Sequence, residues 1–254
     1  MSRNLFSRYS APKKSVISRT TEREVEREAK KLEGLEDTTK KLYKDMKRCI
    51  ESCTATAKAE RKIPRDLLAS ALCQQDTELK SLVEDWDHAA VRLEHHQQEL
   101  NSCCQKVVME PTKKLSSIFP GVQAAIKKRQ QSLQEYNKCQ AKIDKYQERE
   151  RTGGNVVKRE TSKKVLQNAK EEFETQHSTL MEEMPKLYEA RTDYFQPSFE
   201  ALVRSQVSYH AEAFKIYSEL SHQMTDKDGL SDEDYSAVMQ QKLTDIKALS
   251  ITVD

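Results

Sequence analysis

The stretch 76–107, DTELKSLVEDWDHAAVRLEHHQQELNSCCQKV, decides the fold. Leu79, Leu82, Trp86, Ala89, Leu93, His96, Leu100, Cys103 and Val107 follow one another at steps that alternate three and four without an error. That spacing is the a/d repeat of a helix packed on other helices along a narrow stripe. After Pro111 and Pro120 the pattern resumes, more weakly, at Ile126, Arg129, Leu133, Tyr136, Gln140, Ile143 and Gln147. Read as one bent helix from Asp76 to Arg151, it would be about 110 Å long at 1.5 Å per residue. A globular domain of this size is much narrower.

Upstream, a first helix is predicted from Thr20 or Thr21, with Thr21 and Glu24 as a capping box. Its seam is Val25, Ala29, Leu32, Leu35, Thr39, Leu42, Met46, Cys49, Cys53 and Thr56. It is expected to end near Arg61, because Pro64 disfavours a helical residue before it. Residues 62–75 then read as a connection with a short apolar patch, Leu67, Leu68 and Leu72. Downstream, Thr152-Gly153-Gly154-Asn155 holds the one Gly-Gly pair and marks the point where the chain reverses. A third helix is predicted from between Lys158 and Ser162 to Met224. Its seam includes Leu166, Ala169, Phe173, Leu180, Met184, Leu187, Leu202, Tyr209, Ala213, Ile216 and Leu220. Pro111, Pro120, Pro185 and Pro197 are expected to bend the second and third helices, since each removes a backbone donor and crowds the preceding turn. An acidic linker, Asp226 to Asp234, precedes a short helix to about Leu249. The reading is all-α: three long antiparallel helices, with 1–19 a basic N-terminal segment, 20–224 the helical domain and 225–254 an acidic tail.

Composition agrees. The 254 residues are 36% hydrophobic and 33% charged, with five Gly and six Pro, too few for a sheet protein with many turns. Narrow stripes bury little surface in a monomer, so the remaining burial is expected from a second copy. No apolar run approaches the roughly 20 residues needed to span a bilayer, and the N-terminus lacks the apolar core of a secretory signal. The expected location is cytoplasmic, peripheral at membranes and the cytoskeleton. Cys49, Cys53, Cys103 and Cys139 fall on or beside seam positions with no CxxC among the six cysteines, and read as small buried hydrophobes.

No catalytic constellation stands out: there is no phosphate-cradling Gly loop, GxSxG or HExxH, so neither an enzyme nor a cofactor is expected. His88, His95, His96, Cys103 and Cys104 share one helix, but a straight helix rarely converges four ligands on a metal. The charge is uneven although the net is +2. Lys127, Lys138, Lys142, Lys145 and Arg149 form one stripe at 100° per residue, offset from the seam. Arg151 sits at the turn, and Lys158, Arg159, Lys163 and Lys164 lie beyond it. Such a run reads either as a solvated face or as a contact for anionic headgroups, which attract each Lys or Arg by about 1 kcal/mol. The first twenty residues hold Arg3, Arg8, Lys13, Lys14 and Arg19 with Leu5, Phe6 and Tyr9, and Pro12 interrupts them. They read either as a disordered tail or as a short amphipathic helix on a membrane. Nucleic acid is not expected: Tyr136 and Tyr146 lie at or beside the seam, and no nucleic-acid-binding signature appears.

Two blocks resemble the N-BAR proteins, the amphiphysin and bridging integrator group. The first is Glu110-Pro111, Phe119-Pro120, Ile126-Lys127-Lys128-Arg129, Leu133 and Tyr136. The second is Glu182-Glu183-Met184-Pro185-Lys186-Leu187-Tyr188, Arg191 and Phe199, extended by Asp193 to Glu200 and by the ending Ala248-Leu249-Ser250-Ile251. The resemblance covers about residues 15–253. It implies a BAR domain: a crescent-shaped homodimer whose six-helix bundle takes three kinked helices from each subunit. It also implies binding to curved, anionic phospholipid membrane through the basic stripe and tip. Nothing after the bundle resembles an SH3 domain. Relatives without one are associated with actin organisation and cell division through Rho-family GTPase-pathway proteins. The other reading left open is a coiled-coil cytoskeletal adaptor that binds proteins rather than lipid.

Overall fold

The computed structural model of the protein describes residues 15–147, 153–224, 231–249 and 251, and among them every regular element is helical. In order they are α1 (Arg19–Ala69), α2 (Ala71–Gln75), α3 (Thr77–Cys104), a π-helical turn (Gln105–Met109), α4 (Glu110–Ser116), α5 (Phe119–Gln147), α6 (Gly153–Glu189), α7 (Arg191–Met224) and α8 (Asp232–Lys247). The chain divides into two compact units, Met1–Ile50 with Ser102–Arg204, and Glu51–Asn101 with Ser205–Asp254.

In the first unit, α1 runs antiparallel to α5. Glu22 pairs with Arg129, and further along α1 the Gln123 amide donates to Glu36 Oε2 at 2.8 Å. α6 runs antiparallel to α5 in turn. Its core gathers Val25, Ala29, Leu32 and Leu35 from α1, Leu115 and Phe119 from α4 and α5, and Leu180 and Met184 from α6. Each of the larger of these side chains contributes about 1.5–3 kcal/mol when removed from water.

In the second unit, Ala89 and Leu93 of α3 pack on Ile216 and Leu220 of α7, with Trp86 and Ala213 at the margin. Arg92 reaches Glu219 across the pair at 2.7 Å. The Asn101 amide donates to Thr54 Oγ1 at 3.0 Å and Arg61 pairs with Glu94, which ties the end of α1 to α3.

Several expectations need correction. α1 does not stop near Arg61. It continues through Pro64 to Ala69, with the Pro64 ring fully buried, and burial of the ring offsets the lost backbone bond. Ser70 then closes α1, its hydroxyl donating to the Leu67 carbonyl at 2.6 Å. The cap of α1 is Ser18, whose Oγ accepts from the Thr21 N–H at 3.0 Å, and not Thr21 with Glu24. Gly153 and Gly154, expected in the turn, already belong to α6, and Thr152 lies outside the described residues.

The prolines also behave individually. Pro111 has no N–H to bond one turn back. The chain widens into a π-helical turn just before it, and the buried Thr112 hydroxyl donates to the Val108 carbonyl at 2.5 Å. Pro120 is the second residue of α5, where a missing N–H costs nothing, and α4 is separated from α5 at Ser117–Ile118. Pro185 and Pro197 lie inside α6 and α7, which are interrupted at Ala190. Of the cysteines, Cys73, Cys104 and Cys139 are buried, whereas the predicted seam residue Cys49 is exposed.

Candidate functional site

The basic stripe is carried by α5, which packs along α6. The inward face of α5 buries Arg129, Cys139 and Ile143. Lys127, Lys138, Lys142 and Lys145 stand within about 60° of one another on the opposite side at 100° per residue, and all four are exposed. Lys138 approaches Glu135 at 3.4 Å. Lys127, Lys142 and Lys145 make no ion pair among the described residues. These ammonium groups are therefore available to an external anion.

The predicted cluster on α6 is different. Lys158 and Lys164 are exposed but point about 120° apart at helical spacing. Lys163 is held by Glu160 at 2.7 Å, and its hydrogen bond and charge keep that carboxyl below the usual range. Arg159 is half-buried, with its Nε enclosed and unpartnered. Four basic residues close in sequence thus do not make one face. Arg149 and Arg151 lie outside the described residues, as do Leu5, Phe6, Tyr9, Lys13 and Lys14. The segment that follows them is placed, however. The Val16 N–H donates to Asn137 Oδ1 at 2.8 Å, one position from Lys138. The first described residues therefore lie against α5, a contact that no sequence pattern announces.

Beneath the stripe lies a cation that sequence counting would have added to it. Arg129 is 1% exposed. Its guanidinium pairs with Glu22 and lies 5.1 Å from the Phe173 ring centroid. Phe173 stacks in turn on His177, with centroids 5.5 Å apart. Burial lowers the His177 pKa, and the Arg129 charge lowers it further. Arg129 fixes α1, α5 and α6 together and is not presented to a ligand.

A second exposed feature is apolar and belongs to the other unit. On α7 the inward residues are Ala213, Ile216 and Leu220. Val207, Phe214 and Tyr217 occupy another face at heptad spacing, and Phe214 is 76% and Val207 63% exposed. The hydroxyls of Tyr217 and Tyr209 have raised pKa values, first through partial burial and then through Glu60 of α1. On α3, Leu79 and Leu82 were expected in the seam, yet both remain exposed and Val83 is buried instead. Seam spacing could have revealed the Val207–Phe214–Tyr217 row, but it supports one stripe per helix at a time, and the Ala213–Ile216–Leu220 row satisfied it first.

The two units also differ in charge. The first contains 33 Lys and Arg against 22 Asp and Glu, net +11, and the second 10 against 19, net −9; together these return the +2 of the whole chain. Among the described residues no helix is long and apolar enough to cross a membrane.

Comparison with known proteins points the same way. The family model for the BAR domain matches residues 12–226. The chain is 44% identical to human bridging integrator 3 over 243 residues, 96% of each chain. It is 40% identical to the bridging integrator 3 homolog of Xenopus laevis over 254 residues, the whole of both. Among solved structures it is similar to the amphiphysin BAR domain from Drosophila, with a TM-score of 0.67 at 18% identity, covering 84% of this chain and 95% of that one.

Proposed function

The chain belongs to the BAR domain family, and from that premise we propose that it is a non-enzymatic, homodimeric scaffold that binds anionic, curved membrane through the outer face of α5. The observation that carries this reading is the row Lys127, Lys138, Lys142 and Lys145, exposed and opposite the buried side of the helix. A rigid helix holds the four charges in register, so they meet a charged surface together and not one at a time. At about 1 kcal/mol per Lys near an anionic leaflet, four suffice for reversible binding. Lys158, Lys163, Lys164 and Arg159 contribute less, because one is ion-paired and one half-buried. Dimerisation is supported by the exposed apolar row on α7 and by the uncovered Leu79 and Leu82. At that membrane the protein helps organise actin, in cell division through Rho-family GTPase-pathway proteins. That part rests on the family resemblance.

The test is co-sedimentation with phosphatidylserine vesicles of two sizes at low and high salt. Salt-sensitive binding that is stronger on the smaller vesicles is expected. Absence of binding at low salt would leave the α5 row to a protein partner, the cytoskeletal adaptor reading. For the cellular part, a charge-reversed α5 variant that still dimerises should fail to restore actin organisation in cells lacking the protein.

A further inference from the structure

α4 gives way to α5 at Ser117–Ile118, and α6 gives way to α7 at Ala190. Both places lie in the unit that carries the lysine row. Leu187, Tyr188 and Phe195 pack on the core that holds Leu115 and Phe119, so the two interruptions share one neighbourhood. A hydrogen bond joins them. The Tyr194 hydroxyl donates to the Pro111 carbonyl at 3.0 Å, from the first turn of α7 to the first turn of α4. Carbonyls at the interruptions are also held by side chains. The Ser117 hydroxyl donates to the Lys114 carbonyl at 2.7 Å and the Arg191 guanidinium to the Tyr188 carbonyl at 2.6 Å. In the π-helical turn before Pro111, the Thr112 hydroxyl does the same for Val108. Arg191 lies 3.8 Å from the centroid of the Tyr188 ring, and Lys31 of α1 approaches the same ring at 5.7 Å. A bend whose carbonyls have side-chain partners is a built feature that keeps its angle; one left to water would flex.

We propose that Tyr194 and Arg191 are positioning residues: they fix the angle of this paired bend, and the angle sets which membrane curvature the Lys127–Lys145 row fits. The inference rests on the membrane reading above. Lys145 stands about 40 Å along α5 from Ile118 at about 1.5 Å per residue, so a bend changed by about 10° carries it through about 7 Å. A charge is felt over about 8 Å at physiological salt. A shift of that size therefore decides whether the far lysines reach a surface of given curvature. Neither residue needs to touch lipid. Tyr194 gives its one donor to a backbone carbonyl, and Arg191 is half-buried against Tyr188. The Tyr194 ring meets Phe195 edge-on, with centroids 5.4 Å apart. A phenylalanine keeps that contact and removes only the bond to Pro111.

The experiment uses the full chain with Tyr194→Phe and, separately, Arg191→Met. Circular dichroism and sedimentation check fold and dimer, which Tyr194→Phe should leave unchanged. Spin labels carried by unnatural residues at positions 141 and 204, both exposed, are diluted with unlabelled chain. They should give one narrow distance distribution in the wild type and a broader or displaced one in each variant. Affinity for large phosphatidylserine vesicles at low salt should stay within twofold of the wild type, because the lysines are untouched. The preference for small vesicles over large should fall at least threefold. Should Arg191→Met unfold, Tyr194→Phe, which loses one oxygen, decides alone. An unchanged distance distribution, or a displaced one with the size preference intact, would overturn the proposal. So would an equal loss of affinity for both vesicle sizes, which would make these residues lipid contacts, or loss of the dimer, which would make them interface residues. If the wild-type chain binds neither vesicle at low salt, the membrane reading fails; the distance distributions then still decide whether Tyr194 and Arg191 hold the bend.

Discussion

The unit made of Met1–Ile50 and Ser102–Arg204 has a net charge of +11 and buries Phe119, Phe173, Leu180 and Met184, although Val157 and Val203 stay exposed; the unit made of Glu51–Asn101 and Ser205–Asp254 has −9 and leaves Phe214, Val207 and Met239 in water. The first is closed in its core and open in its charge. The second is open in its core and carries the charge that an anionic surface repels. Such a division lets one chain make two kinds of contact without confusion. Apolar stripes with acidic surroundings favour another protein surface and avoid anionic lipid, while lysines on a well-packed helix do the reverse.

The strongest way to break this comparison is to place charge on the open apolar row. Val207→Asp with Phe214→Asp should raise the dimer dissociation constant at least about 100-fold, since a central interface side chain commonly carries 2 kcal/mol or more. Helicity should be unchanged, because both positions are exposed in the single chain. Sedimentation velocity decides it. A dimer that survives both aspartates would mean that the self-association surface lies elsewhere.

Reversing the charge of the other unit is the complementary change. Lys138→Glu, Lys142→Glu and Lys145→Glu should lower affinity for phosphatidylserine vesicles by about two orders of magnitude, at roughly 1 kcal/mol per removed cation. The dimer should be unaffected. Equal loss of both properties would abolish the distinction between the units. Salt sharpens the same contrast through its sign. Raising ionic strength from 50 to 500 mM should weaken vesicle binding several-fold, because the attraction is screened. It should leave the dimer unchanged or strengthen it, because two −9 units repel each other.

Much of this was readable in the sequence, and the exceptions share causes. Ala89, Leu93, Ile216 and Leu220 were found by spacing alone, because a three-four repeat specifies which side of a helix meets another helix. Spacing gives a direction but not a cover. Leu79 and Leu82 lie in the right direction and yet remain exposed among the described residues. A cluster in sequence is likewise not a cluster in space: Lys158, Arg159, Lys163 and Lys164 fall within seven residues, and the helix distributes them over several sides. Arg129 was visible at a seam position, but its burial depended on Glu22 lying more than a hundred residues away. Pro64 was read as a stop from local rules, and tertiary burial overruled them.

The smallest predicted effect tests whether the closed unit is as insensitive to its surroundings as its packing implies. His177 lies against Phe173 near Arg129, and burial together with that charge lowers its pKa below the ordinary 6.5. Glu22 and Glu24 oppose the shift without cancelling it. The unfolded chain therefore binds a proton at a higher pH than the folded one does. Above 6.5 both states are neutral and folding is unaffected. As pH falls through 6.5 the unfolded state gains the proton first, so stability declines with acidification until the folded pKa is passed. The melting temperature should thus fall between pH 7.5 and 5.5, and His177→Gln should reduce that fall by removing one titrating group. The comparison is made by circular dichroism melts at the two pH values. An identical decline in the variant would show that His177 does not set the acid sensitivity, and would move it to the carboxylates that pair across the helices.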